Sequence, residues 1–126
     1  MHIMVVDDEP DIQILFEQRF RKEIKRGEMH FRFAFSGQEA LGVIDGEGGA
    51  DLVLILSDIH MPGMSGLDLL HEIRQRRPKL PVIMITAFGD QANQEDALSR
   101  GADGYIHKPI DFAELKETMI AVGKKS

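Results

Sequence analysis

The chain has 126 residues, 43 % of them hydrophobic and 29 % charged, and a formal net charge of −6. This length suits one compact domain spanning 1–126, with a core from about Ile3 to Val122, and the composition excludes a disordered chain. The acidic charge argues against a surface built for nucleic acid or anionic membranes, and the lack of cysteine excludes disulfides and cysteine-held zinc.

The start, Met1-His2-Ile3-Met4, has no signal-peptide pattern. The longest apolar runs, Ile3 to Val6 and Leu52 to Leu56, are too short to span a bilayer. A cytoplasmic protein is the expectation.

Ile3 to Val6 reads as a strand covered on both faces. Pro10 suits the first position of a helix carrying Ile12, Leu15, Phe16, Phe20 and Ile24 at helical spacing. Met29, Phe31, Phe33 and Phe35 alternate with more polar residues, the pattern of a half-exposed edge strand. Ser36 with Glu39 forms a capping-box pattern before Ala40, Leu41 and Ile44. Gly46, Gly48 and Gly49 predict a flexible loop ahead of the strand Leu52 to Leu56.

Ser65 is placed to cap a helix carrying Leu67, Leu70 and Ile73. Val82 to Ile85 is another doubly covered strand. Gln91 to Arg100 has mainly Ala92, Ala97 and Leu98 to bury, so a helix there is held loosely. Tyr105-Ile106 is a short strand. Asp111 with Glu114 opens a last helix carrying Phe112, Leu115, Met119 and Val122. Strand and helix alternate about five times, which predicts an α/β domain with a parallel sheet.

Sites in open α/β sheets form beyond the carboxyl ends of the strands. Those ends carry Asp7-Asp8, Ser57-Asp58, Thr86-Ala87 and Lys108-Pro109. Three carboxylates together repel one another, and a divalent cation relieves them. Hard oxygen ligands suit Mg²⁺. A carboxylate so neutralised can attack phosphorus, with Lys108 and Thr86 as donors to the phosphoryl oxygens. Each residue also has a plainer role: Asp7 and Asp8 favour a helix start, Thr86 ends a strand, and Lys108 suits a solvated loop. Their coincidence at successive strand ends is what points to a site.

Val5-Val6-Asp7-Asp8-Glu9-Pro10, Asp58 to Gly66, Thr86-Ala87 and Lys108-Pro109 together resemble the response-regulator receiver family of two-component signalling, in order and over nearly the whole chain. The resemblance implies a flavodoxin-like, doubly wound five-stranded parallel sheet, strand order 2-1-3-4-5, with about five helices; chemotaxis receivers share this order. It implies Asp58 as phospho-acceptor from a sensor histidine kinase or histidine phosphotransfer protein. Mg²⁺ is then held by Asp8, Asp58 and the backbone carbonyl of His60, with Asp7 acting mostly through water. Thr86 and Lys108 bind the phosphoryl group, and Thr86 and Tyr105 form a switch. His60 and Phe88 tune rates, and Lys108-Pro109 is cis. The expected product is a signalling switch, not an enzyme with an external substrate. Its partners include a downstream effector or output domain, and a homodimer is compatible.

Two rivals share parts of this pattern. An aspartate-nucleophile phosphatase places a D-x-D pair after its first strand, and a flavin carrier needs a Ser/Thr/Gly-rich loop there. Asp7-Asp8-Glu9-Pro10 is neither. A phosphorylation-independent interaction module of the same fold is the third alternative. The basic cluster Arg19, Arg21, Lys22, Lys25 and Arg26 reads as a solvated helix end, with partner docking as the second reading. His2, His30, His71 and His107 show no metal-ligand spacing and read as non-catalytic.

Overall fold

The computed structural model describes residues 1–87 and 89–123. Five parallel strands form one sheet in the order β2-β1-β3-β4-β5. They are β1 (His2–Val6), β2 (His30–Ala34), β3 (Leu52–Asp58), β4 (Val82–Ala87) and β5 (Gly104–Lys108). The helices are α1 (Asp11–Arg19), α2 (Arg21–Lys25), α3 (Gly37–Asp45), α4 (Gly66–Arg76), α5 (Gln91–Ser99) and α6 (Phe112–Gly123).

Alternate residues of the strands enter two separate cores. Met4, Val6, Ile55, Val82 and Met84 pack with Ala40 and Ile44 of α3 and Leu69, Leu70 and Ile73 of α4. Ile3, Val5, Leu54, Leu56, Ile83 and Ile85 pack with Phe16 of α1 and Leu115, Met119 and Val122 of α6. Coverage on both faces explains why these strands are continuous apolar runs. β2 lies at the edge. Its burial alternates, with His30 and Arg32 exposed and Phe31 and Phe33 half-buried.

The sheet order and the doubly wound α/β architecture are those the resemblance implies. Among the described residues the α-helices number six, because the first helical stretch is interrupted. Phe20 leaves helical backbone values, at φ −107° and ψ 22°, and divides α1 from α2. Its ring packs against Phe16, Phe31 and Phe112. Ile24 therefore belongs to a separate short helix.

The Gly46–Gly49 region forms a 3-10 turn over Glu47–Gly49. A β-carbon on Gly49 would stand 2.2 Å from the Ile44 carbonyl oxygen, so close backbone packing requires glycine there. The Arg77 guanidinium donates to the Gly49 carbonyl at 2.8 Å.

The cap signals act as their chemistry dictates. Ser36 accepts from the Glu39 N–H, while the Glu39 carboxylate reaches back to the Phe35 N–H. Ser65 and Asp68 form a reciprocal capping box at α4. Asp111 accepts from the N–H groups of Ala113 and Glu114. α5 buries only Ala97, and Leu98 is exposed.

Candidate functional site

The strand register brings the chemistry-bearing residues to one edge. Val6 pairs with Ser57, Asp58 with Ile85, Thr86 with His107, and Ala87 with Lys108. Asp7 follows β1 directly, and its N–H donates to the Ala34 carbonyl of β2 at 3.1 Å. Asp58 is the last residue of β3, and Lys108 the last of β5.

Asp7, Asp8 and Asp58 each offer a carboxylate oxygen within 4.8 Å of the others. Asp7 and Asp58 are buried and Asp8 is exposed. Lys108 Nζ lies 3.1 Å from Asp58 Oδ2 and 3.9 Å from Asp7 Oδ2. Burial pushes the Asp7 carboxyl above its ordinary range, and the charges of Asp58 and Asp8 push the same way. The Glu9 N–H and the Lys108 ammonium oppose this without reversing it. For Lys108, burial disfavours the charge, but the hydrogen bond and charge of Asp58, with Asp7 and Glu9, outweigh it and raise its pKa.

The loop after Asp58 is tightly held. The Ser57 hydroxyl donates to the Asp58 carbonyl at 3.0 Å, and the His60 N–H points at Asp58 Oδ1 at 3.4 Å. Gly66 N–H donates to the Ile59 carbonyl at 2.7 Å. A β-carbon on Gly66 would meet the Asp58 carbonyl oxygen at 2.1 Å. The first turn of α4 thus rests directly on the backbone of the central carboxylate.

A contact bridges the loop after β3 and the loop after β4. His60 Nε2 donates to Asp90 Oδ2 at 2.9 Å, and Asn93 donates to the same oxygen at 2.8 Å. The bonds from Asn93 and His60 hold the Asp90 carboxyl below its ordinary range. Phe88 lies outside the described residues. Thr86 is fully buried, and its hydroxyl is bonded to His107 Nδ1 at 3.1 Å. Tyr105 is 36 % exposed, with its ring edge-on to His107. Lys108-Pro109 is a cis peptide bond.

Asp7, Asp8, Asp58 and Lys108 therefore form one cluster, and Thr86 and Tyr105 are joined through His107. Neither His107 nor Asp90 stands out from the sequence. His107 becomes visible once register is known, because it pairs with Thr86 and shares a strand face with Tyr105. Part of the basic cluster serves the fold: Arg19 stacks over the Phe112 ring, with its guanidinium carbon 5.5 Å from the centroid.

The 2-1-3-4-5 fold that carries this acidic cluster has counterparts among known proteins. Residues 3–120 match the family model of the response regulator receiver domain. The chain belongs to this family. Among curated relatives, the response regulator protein PilR of Pseudomonas aeruginosa is 39 % identical over 114 residues, covering 90 % of this chain and 24 % of that one. Response regulator RppA of Synechocystis is 30 % identical over 126 residues, covering all of this chain and 52 % of that one. This receiver thus spans about a quarter to a half of those relatives' lengths. The crystal structure of the receiver domain of NtrX from Brucella abortus superimposes with a TM-score of 0.86 at 33 % identity, covering 98 % of this chain and 99 % of that one. No helix among the described residues of the receiver is long and apolar enough to cross a membrane.

Proposed function

We propose that this receiver is a phosphoryl-accepting switch in which Asp58 takes its phosphoryl group from the phosphohistidine of a sensor histidine kinase or histidine phosphotransfer protein. The observation that carries this reading is the Asp58 carboxylate itself, buried at a strand end, 3.1 Å from an ammonium and within 4.8 Å of two further carboxylates. An Asp58 oxygen forms the new O–P bond as the donor's N–P bond breaks in line. The electron pair returns to the donor imidazole nitrogen. The product is an acyl phosphate, and Lys108 is positioned to pair with its oxygens.

The donor set fits Mg²⁺. It consists of hard carboxylate oxygens, one of them on an exposed residue, and their mutual repulsion calls for a cation. Asp8, Asp58 and the His60 carbonyl would hold the ion directly, with Asp7 mostly through water. Bound there, Mg²⁺ neutralises charge on the acceptor and on the transferred phosphoryl group.

Once phosphorylated, Asp58 draws the Thr86 hydroxyl towards it, and Tyr105 turns inward to fill the space vacated. The surface formed by residues 91–122 then changes shape. The single buried residue of α5 favours such a response, because little packing is lost when α5 shifts. His60 tunes the rate through its bond to Asp90, and Phe88, two residues after Thr86 in the sequence, is the second rate-tuning position. We assign the receiver to the cytoplasm. Its output is a downstream effector or an attached output domain, with dimerisation through the switching face.

Intact mass after incubation with acetyl phosphate and Mg²⁺ tests the acceptor. One adduct of about 80 Da, the mass of one phosphoryl group, is expected in wild type and none in Asp58→Asn. Equal adducts in both proteins would place the phosphoryl group elsewhere.

A further inference from the structure

His107 lies between the two residues of the proposed relay. It is the register partner of Thr86, and its Nδ1 is 3.1 Å from the Thr86 hydroxyl. Its ring also meets Tyr105 edge-on, with centroids 5.3 Å apart. The sheet order gives this contact its meaning. β4 stands between β3, which carries Asp58, and β5, which carries His107. A hydroxyl on β4 drawn to Asp58 moves away from His107.

We propose that His107 is a positioning residue that tethers the Thr86 hydroxyl to β5 at rest and thereby sets the threshold for switching. The inference rests on Asp58 being the phospho-acceptor. A threonine hydroxyl has one proton to give. With His107 protonated on Nε2, that proton goes to Nδ1 and cannot also go to a phosphoryl oxygen. With His107 protonated on Nδ1, the imidazole donates to the hydroxyl, and the bond is lost as the hydroxyl moves. Either tautomer opposes the switch. Thr86 is fully buried, so its hydroxyl does not exchange His107 for bulk water while it stays on β5's side, and the bond to the imidazole holds it there at rest. The same imidazole flanks Tyr105, so the tether and the aromatic ring of the relay meet at one side chain.

Two measurements test this. In the resting protein without Mg²⁺, imidazole ¹⁵N spectra compare wild type with Thr86→Val. The His107 Nδ1 resonance is expected to shift, and identical spectra overturn the tether whatever the fate of Asp58. Beryllofluoride affinity in the presence of Mg²⁺ then measures the threshold. His107→Val is expected to bind about fivefold tighter, the scale of one neutral hydrogen bond. His107→Asn, which keeps a polar atom near the Nδ1 position, should stay within about twofold of wild type. In a Thr86→Ala background, His107→Val should change nothing. Unchanged or weaker binding by His107→Val, or an equal gain without the threonine hydroxyl, overturns the inference. A wild-type protein that binds no beryllofluoride overturns the phospho-acceptor reading and, with it, any threshold for His107 to set.

Discussion

Lys108 Nζ and Asp58 Oδ2 meet at 3.1 Å across the carboxyl edge of the sheet, fifty positions apart in the chain. The same ammonium stands 3.9 Å from Asp7, so one cation balances two buried carboxylates at rest. In the proposed reaction that cation is already beside the oxygen that becomes phosphorylated. The resting ion pair and the phosphoryl-binding site are thus two uses of one side chain.

Replacing Lys108 by Met removes this balance. Without divalent cation, the variant is expected to lose about 0.5–1 kcal/mol, roughly 2–4 °C in Tm, a modest value because the lysine is partly exposed. The raised Lys108 pKa fixes the sign against pH. Its contribution is complete below the unfolded lysine value of 10.5 and is lost as pH rises through the higher folded value. The Tm gap between wild type and variant should therefore stay constant from about pH 6 to 9. Thermal melts in EDTA across that range check it, and a gap that closes near neutrality would count against the lysine as its source.

Asp7 runs in the same direction against pH, but its window lies in acid, so at neutrality it is a penalty where Lys108 is a gain. Its folded pKa lies above the unfolded value of 3.8, first through burial and then through Asp58 and Asp8. The folded state holds the extra proton between the two values, so stability falls as pH rises through that window and stays reduced above it. Asp7→Asn should raise Tm at pH 7 without metal, by about 4 °C for ~1 kcal/mol of relieved repulsion. The gain should vanish below pH 3.8. Mg²⁺ at ten times its dissociation constant should add about 1.4 kcal/mol to wild type and less to the variant. Equal stabilisation of both by Mg²⁺ would remove Asp7 from the proposed metal site.

Gly66→Ala tests the contact between α4 and the acceptor. A methyl group would stand 2.1 Å from the Asp58 carbonyl oxygen and 2.7 Å from Ile59 Cα, both backbone atoms. Relief requires α4 to move off the loop, at an expected loss of about 2–3 kcal/mol. Phosphorylation by acetyl phosphate should slow as well, because Asp58 shifts with its backbone. Urea melts and adduct formation over time measure the two effects. A fully stable variant would show that α4 is free to retreat.

The architecture is legible in the sequence because β1, β3 and β4 are built on unbroken apolar runs, and the ends of β1, β3, β4 and β5 carry the polar residues of the site. Asp7, Asp58, Thr86 and Lys108 line up from those ends by residue type and position alone. The interruption at Phe20 is not legible, since Phe16, Phe20 and Ile24 keep helical spacing across it. The Gly49 packing is also hidden, because glycine in a loop signals conformational freedom and close approach alike. His107 and Asp90 are hidden for a different reason. Their partners, Thr86 and His60, lie 21 and 30 positions away, and only strand register and loop placement bring them together.

Tyr105 offers a direct readout of the switch. It is the one tyrosine of a chain without tryptophan, so its fluorescence is a site-specific signal. The residue is 36 % exposed and its ring sits beside His107. If the ring turns inward when Thr86 moves, Mg²⁺ with beryllofluoride should lower acrylamide quenching about twofold, as the population shifts to the inward form. Thr86→Ala should still bind beryllofluoride through Asp58 and Lys108, yet its quenching should not respond as in wild type, because the hydroxyl that follows the phosphoryl group is gone. Binding with no change in wild-type quenching would remove Tyr105 from the relay, whereas an equal change in Thr86→Ala would show that the ring moves without the threonine.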